Sequence, residues 1–187
     1  LIGGILFLLL WINVYDIYDI IPRKEDFKGG IYVVFFYGLA RVIDMGMGCN
    51  NEILVYSKYY KANLPMQFAL VLIVVVTNWA FIPRFDITGA ALATCISVFT
   101  YNIIRFLYLW KKIGMQPFSK STLKVLFILS VAFIIGLNIN FGFHPILNII
   151  IRSSLIIFPL LALLYFLKIS QDINRLIVKL LKQIFFN

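Results

Sequence analysis

Apolar residues fill this chain in long runs, and charges fall almost only where the runs end. A helix needs roughly 20 apolar residues to cross about 30 Å of hydrocarbon, and reading from charge to charge divides the sequence into six apolar segments. The first, Leu1 to about Ile12, precedes a charged cluster from Asp16 to Lys28 around Pro22. Its start inside an apolar run reads as the outgoing half of a helix cut from a longer chain. The second, Gly29 to about Cys49, carries Arg41 and Asp44 inside apolar sequence, together with Gly38, Gly46 and Gly48. The third, Leu64 to Ile82, lies uncharged between Lys61 and Arg84 and is closed by Pro83. The fourth, Ile87 to Trp110, opens on Gly89-Ala90-Ala91 and ends on Arg105, Tyr108 and Trp110, basic and aromatic residues suited to a membrane interface. The uncharged stretch 125–151 is interrupted by Asn138, Asn140, Gly142, His144 and Pro145. That predicts a tight turn between a fifth helix, Thr122 to about Asn140, and a sixth, Pro145 to Leu167.

After Ser170 the pattern changes. Ile173, Leu176, Ile177, Leu180, Leu181 and Ile184 recur at helical spacing against Arg175, Lys179, Lys182 and Gln183, as in a helix that lies on a membrane surface. The expected fold is therefore all-α, a polytopic transmembrane helix bundle of about six helices with an amphipathic C-terminal surface helix. Its expected parts are 1–110 with four membrane segments, 111–170 with two more, and the interfacial tail 171–187.

Composition narrows the classes. Of 187 residues 62% are hydrophobic and 13% charged, against roughly 45–50% and about 25% in ordinary soluble domains, which excludes a soluble globular protein. A mean hydropathy of +0.95 excludes intrinsic disorder. The net charge of +9 sits at the ends of apolar segments, where basic residues set orientation and meet anionic lipid head groups. Membrane lipids are thus expected partners; nucleic acid is not, since no soluble basic domain exists to carry it. The Arg105 to Lys124 connection holds five basic residues and no acid, and the tail is basic too, so both are expected in the cytoplasm. The turn at His144 then falls outside, as does the Asp16 to Lys28 loop. Cys49 and Cys95 lie within or beside apolar runs and do not suggest a disulfide framework.

Arg41 and Asp44 stand three apart on one helical face, where they can pair, and charge inside a membrane is costly enough to suggest function. An arginine facing a cavity would suit a phosphate-bearing substrate, because its planar fork binds oxyanions through two donors. The segment Asn50-Asn51-Glu52, followed by Ser57-Lys58-Tyr59-Tyr60-Lys61, offers a polar, aromatic loop. Lys58, Tyr59 and Lys61 are candidates there for head-group or sugar contact, or form an interfacial belt. Gly89, Ala93 and Ser97 make a stripe of small residues that lets helix backbones approach closely. Arg152, about two turns into the sixth helix, is placed to snorkel outward. Asp16 and Asp19 belong to an exposed outer connection. His144 is alone at its turn, so no metal or other cofactor is expected. No Gly-rich phosphate loop, His-Glu-x-x-His or nucleophile elbow is present, and the chain reads as a non-enzyme.

The stretch Asn51-Glu52-Ile53-Leu54 with Ser57-Lys58-Tyr59-Tyr60, then Asn78, Ile82-Pro83, Ile87-Thr88-Gly89-Ala90-Ala91-Leu92-Ala93-Thr94, Asn102 and Met115-Gln116-Pro117-Phe118, resembles the C-terminal half of bacterial polysaccharide-biosynthesis flippases. These are Wzx-type oligosaccharide flippases of the multidrug/oligosaccharidyl-lipid/polysaccharide exporter superfamily. The resemblance implies the ninth to fourteenth helices of a two-lobed inner-membrane protein with a cytoplasmic C-terminus. It also implies a missing N-terminal lobe as partner, and alternating access that carries a lipid-linked oligosaccharide, joined through polyprenyl pyrophosphate, to the outer leaflet. A drug or metabolite exporter of the same superfamily, or a non-transporting membrane fragment or scaffold, are the alternatives.

Overall fold

The computed structural model describes residues 1–22, 28–48, 50–114, 120–139, 142 and 144–166. The expected surface tail, Cys49, and the 115–118 part of the resemblance lie outside them. Among the described residues every regular element is helical: α1 (Ile2–Ile12), α2 (Val14–Ile20), α3 (Ile31–Gly46), α4 (Asn50–Tyr56), α5 (Asn63–Ile113), α6 (Lys120–Asn138) and α7 (Pro145–Phe166). Short 3-10 turns at Lys28–Gly30 and Tyr60–Ala62 lead into α3 and α5. The chain divides into two compact units, one of Leu1–Val14 with Ile21–Pro117, the other of Tyr15–Ile20 with Phe118–Asn187.

In the first unit α5 is two helices in one. Thr77 Oγ1 and Ser97 Oγ lie 2.8 Å apart, yet 20 residues of straight helix would separate them by about 30 Å. The chain therefore folds back, and it does so at Asp86, whose φ of 52° and ψ of −131° leave the helical region. Pro83, just before, supplies no backbone N–H to continue the ladder. Each arm, 63–85 and 87–113, is long enough to cross about 30 Å of hydrocarbon, and the stretch Tyr60–Ile113 is apolar enough to do so. The consecutive pairs α1 with α2 and α3 with α4 are apolar enough for the same when each pair is taken together.

The two arms divide the labour. The first presents Phe68, Val75 and Trp79 outward, with Trp79 81% exposed. The second is the central helix of the unit, buried at Ala91, Ala93, Cys95 and Ser97. Small residues make that position accessible: a Cβ on Gly89 would collide with the carbonyl oxygen of Phe81, so only glycine fits where the arms close together. Against this central arm packs α3, and against α3 packs α1, through Trp11 on Phe35 at 4.6 Å between ring centroids. The segment expected as a loop after the second span is instead largely helical. Leu54 on α4 inserts beside Met66, Tyr101 and Leu109, closing one end of the hairpin with an apolar cluster, and Glu52 sits in the first turn of α4, where the helix dipole favours an acid.

In the second unit α7 buries Asn148, Arg152, Ile156 and Leu160, a four-residue stripe down one face. Two expectations are corrected here. Asp16 is not on an exposed connection: it lies in α2, nearly buried, and its Oδ2 accepts from Arg152 Nη1 at 2.6 Å while its Oδ1 accepts from Asn148 Nδ2 at 3.3 Å. Arg152 does not snorkel outward, because that carboxylate draws it inward. Its Nε also donates to the carbonyl of Ile139 at 2.9 Å, tying α7 to the end of α6. Gly142, in the turn between α6 and α7, takes a φ of 56° that a side chain would strain.

Candidate functional site

One cavity of the first unit differs chemically from its surroundings. It measures about 470 Å³ and opens where α3 ends, α4 begins and the two arms of α5 pass each other. Helical spacing builds its walls. Tyr37, Arg41 and Asp44 recur at four and three residues on α3, and Thr94, Val98, Asn102 and Arg105 recur at four, four and three on the second arm. Gln67 from the first arm, Asn51 and Glu52 from α4, and Tyr101 add to the polar lining. Two arginines and two carboxylates thus share a space inside a predominantly apolar helical unit.

Arg41 and Asp44 both line this cavity, but they do not form the expected pair. Arg41 Nη2 donates to the hydroxyl of Tyr37, one turn earlier, at 2.7 Å, and the guanidinium sits 5.0 Å from the centroid of that ring. Asp44 turns to the neighbouring helix, where Oδ1 accepts from Asn102 Nδ2 at 3.2 Å. Each charge found a nearer or better-directed partner than the other. Arg41 remains exposed.

The same Asn102 nitrogen donates to the carbonyl of Val98 at 3.0 Å. Its two hydrogens therefore have acceptors, and a flipped amide would set oxygen against oxygen, so the orientation is fixed. Asn102 Oδ1 is left buried with no partner. Arg105 is buried too, 8% exposed, with its guanidinium 4.3 Å from the centroid of Tyr101. Its Nε and the hydroxyl of Tyr101 are likewise buried without a hydrogen bond. Among the described residues Arg105 has no ion-pair partner. A buried unsatisfied polar atom costs about 1–3 kcal/mol, and a charged one more, so this wall holds three unmet hydrogen-bonding capacities in adjacent side chains.

The remaining expected site residues lie elsewhere. Lys58 Nζ sits 5.2 Å from the ring centroid of Tyr59, and Tyr59 packs edge-on against Tyr108 at 6.3 Å, an arrangement that anchors the chain before α5. Lys61 lines a separate groove with Tyr60, Leu64 and Phe68 along the first arm, and Gln67 borders both spaces. Lys58, Tyr59 and Lys61 are therefore not part of the polar cavity. Tyr101, Asn102 and Arg105 are, and Arg105 thus lies in the cavity wall and not at the interface expected for it. The signal that marks them is the recurrence of polar residues at 94, 102 and 105 on one face of an apolar helix. No protein-family model, curated protein or solved structure matches the chain.

Proposed function

We propose that this chain is part of a membrane transporter that moves a polyprenyl-pyrophosphate-linked oligosaccharide across the bacterial inner membrane for cell-surface polysaccharide synthesis, without covalent chemistry. The observation that carries this reading is the polar cavity, with two arginines and three unpartnered buried atoms inside an apolar helical unit. Lipid is the solvent that suits the outer faces. Phe68, Val75 and Trp79 on the first arm, with Leu123 and Phe127 on α6, expose more apolar surface than a water-soluble monomer tolerates.

In this reading the helices form a six-span bundle whose connection from Lys111 to Lys124 and whose C-terminus face the cytoplasm. With Arg105 drawn into the cavity, that connection still holds Lys111, Lys112, Lys120 and Lys124 and no acid. The cavity, bounded by the end of α3 and the start of α4, then opens on the side where a lipid-linked glycan is made. Arg41, exposed on its wall, attracts the anionic linkage. The polar lining replaces water around the glycan, and rocking of this part against an N-terminal lobe exposes the cavity to the other side.

The test is flipping of a fluorescent lipid-linked oligosaccharide in vesicles containing the full-length reading frame. Wild type flips it, Arg41→Ala does not although protein levels are near normal, and Arg41→Lys restores only part of the rate because the planar fork is lost. Undiminished flipping by Arg41→Ala overturns the role of Arg41, and absence of flipping by wild type overturns the function.

A further inference from the structure

We infer that the cavity wall formed by Tyr101, Asn102 and Arg105 is a subsite for an acidic sugar, a ring that carries an oxyanion with a hydroxyl beside it. Placing that sugar within the transported glycan rests on the proposed transport function; the chemistry of the subsite does not. Arg105 supplies the first half. Its guanidinium is buried, has no ion-pair partner among the described residues, and lies over the Tyr101 ring. The ring contact holds the guanidinium in place, and Nε on its edge is buried with its hydrogen-bonding capacity unmet. That edge matches the planar spacing of carboxylate or phosphate oxygens.

Asn102 supplies the second half. Both amide hydrogens are committed to Asp44 and Val98, so Oδ1 can only accept, and the ligand has to bring a donor. Asn102 and Arg105 lie one turn apart on the same face, so donor and oxyanion belong on neighbouring atoms of one ligand. The Tyr101 hydroxyl, which can donate or accept, joins either group.

The alternatives each leave something unmet. A neutral sugar satisfies Asn102 and leaves a buried cation bare. Inorganic phosphate satisfies Arg105 and can turn a P–OH toward Asn102 Oδ1, but it has no ring to fill a cavity of about 470 Å³. A hydroxylated oxyanion meets all three atoms, and Asp44 orients it with the negative end toward Arg105.

The experiment is competition binding to the purified full-length protein in lipid nanodiscs, with methyl glucuronoside, methyl glucoside, methyl glucoside 6-phosphate and inorganic phosphate as probes. The glucuronoside should bind at least about tenfold more tightly than the neutral glucoside and than inorganic phosphate, the scale of one charge-assisted contact. Binding of the sugar phosphate to the same extent identifies any oxyanion as sufficient, and weaker binding of it identifies the carboxylate. Arg105→Gln should erase the preference and Arg105→Lys keep part of it. Equal binding of the glucuronoside and glucoside by wild type overturns the assignment whatever the variants do, as does phosphate competing as well as the glucuronoside. Equal flipping of neutral and acidic glycans on one lipid also overturns the subsite while transport stands. Selective glucuronoside binding without any flipping upholds the subsite and removes the transport reading.

Discussion

Arg152 on α7 and Asp16 on α2, 136 residues apart in sequence, close a buried ion pair at 2.6 Å, with side chains only 7% and 13% exposed. Removing one member strands the other charge away from water. Asp16→Ala or Arg152→Ala should each lower stability by about 3–5 kcal/mol, whereas an apolar pair of similar volume, Asp16→Leu with Arg152→Met, should recover much of the loss. Chemical unfolding in detergent micelles measures this. Single variants as stable as wild type would show that the pair is solvated.

The reach of sequence reasoning is visible in these residues. The helices over 31–46, 120–138 and 145–166 follow from apolar runs bounded by charge and turn residues, and the fold-back near Asp86 follows from Pro83 and the small residues after it. Those are local signals. The union of Asp16 with Arg152 is not local: read one segment at a time, each charge near an apolar run end looks interfacial. Arg105 was hidden for a related reason, since a basic residue near the end of a membrane-length helix has two inward or outward choices, and the stacking partner Tyr101 and the neighbouring helices decide between them. Arg41 and Asp44 stand out as charges within an apolar run, but the partners that separate them, Tyr37 and Asn102, lie one turn and one helix away.

The hairpin of α5 depends on one missing side chain. Gly89→Ala should destabilise by about 1–3 kcal/mol, as overpacking does, because the added methyl meets the backbone oxygen of Phe81, which has no freedom to swing aside. Asp86→Gly should leave stability unchanged or raise it, since glycine adopts a positive φ without a side-chain penalty. Thermal unfolding of the two variants compares them directly, and a Gly89→Ala protein as stable as wild type would contradict the close packing.

Coupling energies separate the partners of Asp44. A double-mutant cycle between Asp44→Ala and Asn102→Ala should give an interaction of about 0.5–3 kcal/mol, the range for residues in contact, in keeping with their 3.2 Å hydrogen bond. The cycle between Arg41→Ala and Asp44→Ala should not exceed about 0.5 kcal/mol, the size of a charge pair one helical turn apart without a direct bridge. A large Arg41–Asp44 coupling would restore the direct ion pair.

Orientation is open to cysteine labelling in a background without Cys49 and Cys95. A cysteine at Ser119 should react with an impermeant thiol reagent only after the membrane is opened, and one at His144 should react from outside intact cells, as the Lys and Arg asymmetry requires. Labelling at Ser119 in intact cells would invert the topology and place the cavity mouth on the wrong side for loading.

The cavity as the place where a glycan is held is tested most directly by ligand protection of a cysteine at Thr94, on its wall. In inverted membrane vesicles containing the full-length protein without Cys49 and Cys95, Thr94→Cys should react with a small thiol reagent, and lipid-linked oligosaccharide should slow that reaction while polyprenyl alcohol without a glycan leaves it unchanged. A cysteine there that reacts at the same rate under saturating lipid-linked oligosaccharide, or that does not react at all, contradicts the account.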